Sequence, residues 1–142
     1  MPDGPTARGL ASCAKGRIGE YIAAAAIENM GWRVMLAPIE HVDLIAVKGP
    51  HTIRVQVKSA FPANEPKRRP RYQFKNGGRF EVCDPENVDA LALVAVDLRI
   101  ARFTLLPRQR MVTVHPELFT LDAEKTTWRA VCEEITGGTS DR

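Results

Sequence analysis

Asp43 interrupts an otherwise apolar run, Val42 to Val47, and the chain then offers Gln56 and Lys58 separated by a single valine. An unpaired carboxylate inside such a run is costly, so Asp43 must reach water, shift its pKa or hold a partner. A metal cation would satisfy it well. The Gly49-Pro50 pair between the two segments marks a tight turn, and the whole reads as a β-hairpin. Strand alternation then puts Arg54, Gln56 and Lys58 on one face and Ile53, Val55 and Val57 on the other. One strand face is apolar and the other chemical.

This hairpin resembles the core of the PD-(D/E)xK nucleases, the superfamily of restriction-type endonucleases, archaeal-type Holliday-junction resolvases and some homing endonucleases. Asp43 matches the motif Asp and Lys58 the Lys. Gln56 stands where most members carry a second acid and some branches a Gln, and Glu20 matches the Glu that many members carry on the preceding helix. The Pro of the motif has no match beside Asp43, where the chain has His41-Val42. The motifs are short, so their order and spacing carry the resemblance, which extends from about Lys15 to Pro107. It implies an α/β fold with a restriction-endonuclease-like core, in which an N-terminal helix precedes a mixed central β-sheet flanked by helices.

The resemblance further implies an endodeoxyribonuclease that hydrolyses phosphodiester bonds with Mg2+ or Mn2+. Asp43, the Gln56 side-chain oxygen and the backbone carbonyl of Val57 would hold the cation, with Glu20 reaching it directly or through water. The metal would polarise the scissile phosphate and activate a bound water, while Lys58 orients that water or stabilises charge on the phosphorane. Beyond the cation no cofactor site is expected. A neutral amide at Gln56 leaves one or two metals open. The substrate stays open too, between branched DNA, as in resolvases of recombination and repair, and duplex DNA cut by homing or restriction-like enzymes. A small chain that cuts both strands usually acts as a symmetric homodimer. Two rivals remain: a nucleic-acid-binding module on the same scaffold whose metal affinity is too weak for turnover, and a protein-interaction domain.

Net charge is only +3, but it is focal. Residues 67–79 hold Lys67, Arg68, Arg69, Arg71, Lys75 and Arg79 with no acid; the other 14 basic residues face 17 acids, which leaves the rest of the chain at −3. Such a patch suits a polyanion, since each neutralised phosphate releases counterions, and Tyr72, Phe74 and Phe80 are placed to pack on sugars or exposed bases. These six cations are the expected DNA-binding residues. The bland alternative is a solvated loop.

Composition sets the outer bounds. The 142 residues, 44% hydrophobic and 26% charged, suit one globular domain over 1–142 that needs no disulfide or structural metal. No apolar run approaches the roughly 20 residues that span a bilayer, and no signal-peptide pattern opens the sequence, so no membrane partner and a cytoplasmic location are expected. Cys13, Cys83 and Cys132 are odd in number and far apart, as packed reduced thiols would be. His41, His51 and His115 lack the spacing of zinc ligands.

The elements that must position the hairpin can also be read. Helix formers dominate from about Gly9 to Met30, including Ala23 to Ala26, and Gly31 is a natural stop. Glu20 shares a face with Ala24 and Ile27, and the small Ala would let that helix lie close to a sheet. Strands are expected over Trp32 to Ala37, about His41 to Val47 and Thr52 to Ser59, forming an antiparallel meander. Residues 61–80 read as a basic loop and arm, with Tyr72 to Lys75 and Arg79 to Cys83 flanking Asn76-Gly77-Gly78 as a second hairpin. Val88 to Val96, apolar apart from Asp89, should be the sheet's innermost strand, covered on both faces. Arg102 to Leu106 adds another strand. Trp128, Val131, Cys132 and Ile135 recur at helical spacing, with Asp122 or Thr126 as caps and Gly137-Gly138 as the stop. Residues 1–8 and 139–142 are expected to be disordered.

Overall fold

The computed structural model describes residues 12–63, 65–76 and 85–138. The expected disorder at 1–8 and 139–142 lies outside the described residues. Helix α1 spans Ser12–Asn29, and Gly31 ends it with φ at +93°, a conformation that suits glycine. Three strands follow, β1 (Arg33–Ile39), β2 (Val42–Lys48) and β3 (His51–Ala60), paired antiparallel in sequence as expected. The β2–β3 turn uses Gly49 at φ +56°, with Lys48 opposite His51. Next come β4 (Tyr72–Lys75), β5 (Ala90–Ala95), β6 (Ile100–Leu105), β7 (Met111–Val114), a 3-10 turn at Pro116–Leu118, and helix α2 (Leu121–Thr136).

The main sheet has the order β1-β2-β3-β5-β6, with β3 and β5 parallel and the other pairs antiparallel. The mixed sheet follows from the long excursion between β3 and β5, since a parallel neighbour cannot be joined by a tight turn. The middle strand is β3, which corrects the expectation that the Val88 to Val96 segment would be innermost. The burial part of that reading holds, because all six residues of β5 are buried. Having both faces covered does not require the central position.

Both helices pack on one face of this sheet. Ala23, Ala26 and Ile27 of α1 and Trp128 and Val131 of α2 join Leu44, Ala46, Ile53, Val55, Ala92 and Phe103 in one core cluster. Each fully buried Leu, Ile or Val there contributes about 1.5–3 kcal/mol relative to exposure. Trp128 packs edge-on against Trp32 and Phe103, with ring centroids 5.5 and 5.0 Å apart. The cap of α2 is Thr120, two residues before the expected Asp122: its hydroxyl accepts from Ala123 N at 3.0 Å, and Asp122 and Glu124 instead place negative charge in the first turn. The edge of β6 is covered by the same helix, because Glu124 accepts from Ala101 N and Thr127 from Phe103 N.

The opposite face is covered by a second cluster: Ala60, Leu91, Leu93 and Ala95 of the sheet against Tyr72, Phe74, Val114 and Phe119. Here β4 pairs antiparallel with β7, a strand that sequence patterning missed. Residues 79–83, the other half of the expected second hairpin, lie outside the described residues. No helix among the described residues is long and apolar enough to cross a membrane.

Candidate functional site

Alternation assigns the face of each residue on the central hairpin. The register runs from Lys48↔His51 to Leu44↔Val55, so Leu44 and Val55 share the helix-covered face. Asp43 precedes Leu44 and Gln56 follows Val55, so by alternation both lie on the other face, just beyond the last paired residues. Gln56 and Lys58 are half-buried there. The hairpin therefore brings Asp43, Gln56 and Lys58 to one side of the sheet.

The ladder between β2 and β3 changes at Asp43. Its Oδ2 accepts the backbone N–H of Val57 at 2.7 Å, so a side chain takes the place a main-chain carbonyl would occupy if the pairing continued. The N–H and C=O of one strand residue point to the same side, because hydrogen-bonded pairs exchange both. The Val57 carbonyl thus faces the same edge as the Asp43 carboxylate, with Gln56 and Lys58 on either side of it in sequence.

Glu20 approaches from α1, on the opposite face. The helix can come this close because of Gly19: a Cβ there would lie 1.7 Å from Ser59 Oγ and 3.0 Å from Ser59 Cβ. Ala24, expected to make the close approach, is only half-buried, whereas Gly19 and Ala23 are buried. A glycine interrupting a helix-forming run was the available signal, since it costs helix stability unless a packing reason keeps it. Burial raises the pKa of Glu20 above its ordinary value, and the negative charge of Asp43 raises it further, outweighing the opposing influence of Arg17. The two carboxylates thus repel each other.

Arg54, expected on the chemical face, is fully engaged. Its Nε and Nη2 donate to the Asp89 carboxylate at 3.1 and 2.9 Å, its backbone N–H donates to Asp89 Oδ2 at 2.8 Å, and its Nη1 donates to the Glu86 carbonyl at 2.6 Å. Burial would raise the Asp89 pKa, but the hydrogen bonds and charge of Arg54 win and lower it. This clamp ties the entry of β5 to β3 and fixes the parallel register beside Gln56. Asp89 was the visible sign of it, an acid at the start of an apolar strand.

The basic segment is more structural than its composition implies. Arg71 is buried and donates to Glu65 at 2.8 Å, Arg68 meets the same carboxylate at 3.4 Å, and Arg69 pairs with Glu117. The Arg71 hydrogen bond, with the charges of Arg71 and Arg68, lowers the Glu65 pKa. Tyr72 and Phe74 are core residues, Tyr72 stacking edge-on with Phe119 and donating to Asp97 at 2.7 Å, so they are not surfaces for bases. Their alternation with Gln73 and Lys75 is the strand pattern itself, apolar inward and polar outward. Lys67 and Lys75 are exposed, and Arg79 lies outside the described residues.

The fold is similar to that of a bacterial homing endonuclease. The solved structure of that enzyme, I-Ssp6803I, superposes with a TM-score of 0.70 at 15% identity, covering 93% of this chain and 100% of the other. At this identity the likeness establishes the fold. No protein-family model and no curated protein sequence matches the chain.

Chemically, the hairpin face offers hard oxygen donors, with Glu20 near enough for the Asp43 charge to act on it. Among the described residues no group of three His, Cys, Asp or Glu side chains could hold a metal ion. A cation at this site would therefore rest on the carboxylates of Asp43 and Glu20 supplemented by neutral oxygens, the amide of Gln56 and the carbonyl of Val57. That set suits Mg2+ or Mn2+, which keep several waters and need few carboxylates. A cation would also offset the Asp43 repulsion that adds to burial in raising the Glu20 pKa.

Proposed function

We propose that this protein is a divalent-metal-dependent DNA endonuclease. The observation that carries the reading is the opening of the β2–β3 ladder, where the Asp43 carboxylate caps Val57 N–H beside Gln56 and Lys58. A carboxylate, an amide and a lysine on one sheet face, with a second carboxylate close enough to be perturbed, are the groups that phosphodiester hydrolysis calls for. The likeness to a homing endonuclease supports DNA as the substrate class.

Bound Mg2+ or Mn2+ would supply Lewis-acid polarisation of the scissile phosphate and a water of lowered pKa. Asp43 is held for its part by the Val57 N–H, which fixes one carboxylate oxygen and would leave the other for a cation. Gln56 contributes a neutral oxygen and so keeps the site less anionic than two strand carboxylates would. Glu20, near enough to feel the Asp43 charge, would reach the cation directly or through one of its waters. Lys58 places a compact positive charge where the phosphorane gains negative charge. A symmetric dimer would present one such site to each strand.

The test is cleavage of a panel of four-way junction, flap, single-stranded and duplex DNAs, with Mg2+, with Mn2+ and with EDTA. Metal-dependent cleavage of any member, lost in Asp43→Asn, supports the reading. Salt-sensitive binding without cleavage of any member at any metal concentration would sink it in favour of a binding module.

A further inference from the structure

The β4–β7 ribbon lies on the sheet face that carries Gln56 and Lys58. Ala60 shares that face by alternation along β3, and it packs in the cluster that Tyr72 and Phe74 of β4 and Val114 of β7 cover. Layers packed face to face sit about 10 Å apart, so the ribbon stands about that far above the face on which the candidate site lies. Asp43 is on β2, two strand spacings from β5, the other strand the ribbon covers, and so about 10 Å to the side. A duplex lying over the site runs against the ribbon.

Its outer side is polar and braced. Tyr72, Phe74 and Val114 point into the core, whereas Gln73 stands directly opposite Thr113 and both are exposed, as is Lys75 at the end of β4. The loop before β7 is fastened to that end by Asn76, itself buried. Its Nδ2 donates to the carbonyls of Pro107 at 2.7 Å and Gln109 at 2.9 Å, and its backbone N–H donates to the Arg110 carbonyl at 2.6 Å. Arg108 sits between the two anchored carbonyls and is exposed. Neither 72–76 nor 106–115 contains an acid. The ribbon thus presents an amide, a hydroxyl, an ammonium and a guanidinium on a backbone that is already fixed, so little ordering remains to oppose binding.

We propose that the β4–β7 ribbon is the sequence-reading element of this protein and lies with its outer side in the major groove of duplex DNA. The inference rests on the nuclease reading for its choice of partner and deepens it by naming the residues that select the substrate. The major groove is about 12 Å wide and admits a two-stranded ribbon, and four residues per strand extend about 13 Å along it. Arg108 reads a guanine through O6 and N7, and Gln73 an adenine through N6 and N7, because only these side chains of the ribbon can bond a base edge twice. Lys75, a compact charge without a fork, meets phosphate.

The probe is duplex DNA enriched by the full chain from a randomised pool, with Ca2+ replacing Mg2+ so that binding is read without turnover. Dimethyl sulfate tells the grooves apart, since it methylates guanine N7 in the major groove and adenine N3 in the minor groove. A consensus should emerge, and bound protein should protect its guanine N7 while adenine N3 stays reactive. Arg108→Ala should relax the consensus at a guanine and Gln73→Ala at an adenine, each lowering the preference for consensus over unselected duplex about tenfold. Both positions are exposed, so circular dichroism and Tm should match the parent, and the parental footprint depends on no variant. Binding without a consensus, protection confined to adenine N3, or variants that keep the parental preference would each overturn the ribbon proposal, while metal-dependent cleavage would leave the nuclease reading standing. Absence of both binding and cleavage would overturn the two together.

Discussion

Gly19 of α1 lies against Ser59 of β3 so closely that even a methyl group has no place between them: the added carbon would sit 3.0 Å from Ser59 Cβ and well inside the radius of Ser59 Oγ. The hydroxyl can rotate away, but the Cβ cannot. The next residue along the helix is Glu20, whose pKa already registers the charge of Asp43. The contact therefore sets how near one candidate acid comes to the other.

Gly19→Ala is expected to cost about 1–3 kcal/mol of stability, the range for forcing extra volume into a packed contact. It should also reduce cleavage, because a displaced helix carries Glu20 with it. Ser59→Gly in the same chain removes both close atoms and leaves only Val57 Cγ1 at an ordinary 3.5 Å. Thermal melts and single-turnover rates of the single and double variants check this. If Ser59→Gly restores neither, the close approach does not position Glu20.

Asp43→Asn and Lys58→Ala should each lower the single-turnover rate by about 10²-fold or more while DNA affinity changes little, since both groups act mainly in the transition state. Asp43→Asn keeps an oxygen that can accept from Val57 N, so the hairpin should melt near the parental temperature. Parallel rate, affinity and melting measurements would expose a purely structural role as loss of stability with unchanged rate per folded molecule.

Gln56→Glu adds a carboxylate on the same sheet face as Asp43, where the β2–β3 pairing ends. With a cation between them it should tighten Mg2+ binding and preserve cleavage. Without one, two like charges face each other across the strands and destabilise the hairpin. Calorimetric titration of Mg2+ into the parent, Gln56→Glu and Gln56→Ala decides the matter. Equal metal affinity in all three would remove Gln56 from the ligand set.

Local pattern carried the central hairpin because its signals agree: alternation, a Gly-Pro turn and a lone acid all belong to the same few residues. Helix α1 and the stop at Gly31 were legible for the same reason. Tyr72 to Lys75 was legible as a strand, but its pairing with β7 was not, because β7 is four residues long and meets β4 across a long sequence separation, so it looks like loop until its partner is known. Charge composition also misled. Arg71 reads as one more surface cation in the segment, and only the fold shows it buried against Glu65, because ion pairing depends on what the chain brings back from elsewhere. At the candidate site, Asp43, Gln56 and Lys58 share a face by strand period alone. The approach of Glu20 needed a glycine contact that periodicity does not encode.

Glu20 gives a pH signature with a definite sign. Its folded pKa is raised, so the native state holds a proton that the unfolded chain has already released, and stability falls as pH rises through this titration. The penalty is absent below the ordinary glutamate pKa of 4.5 and complete once pH exceeds the raised folded value. Glu20→Gln should flatten the difference in Tm between pH 4 and pH 7 relative to the parent. Mg2+ should stabilise the parent at pH 7 and the variant much less. A parent and variant with superimposable Tm profiles, with and without Mg2+, would mean that Glu20 neither feels Asp43 nor reaches a metal.

Removing Arg68, Arg69 and Arg71 together would confuse binding with folding, because Arg71 is buried and Arg68 and Arg69 are already paired with Glu65 and Glu117. Lys67 and Lys75 are exposed and make the cleaner test. If the segment positions phosphates, Lys67→Ala/Lys75→Ala should weaken DNA binding alike for every sequence and reduce the slope of log affinity against log salt by about 0.9 for each phosphate no longer neutralised. Single-turnover cleavage at saturating enzyme should change far less, since neither lysine belongs to the Asp43 cluster. Arg71→Ala should behave differently: it strands Glu65 and opens a buried site, so it should lower Tm while leaving the salt slope nearly untouched. An unchanged affinity and slope in the double lysine variant would move the search for the DNA surface to Lys15 and Arg17 on α1, beside Glu20.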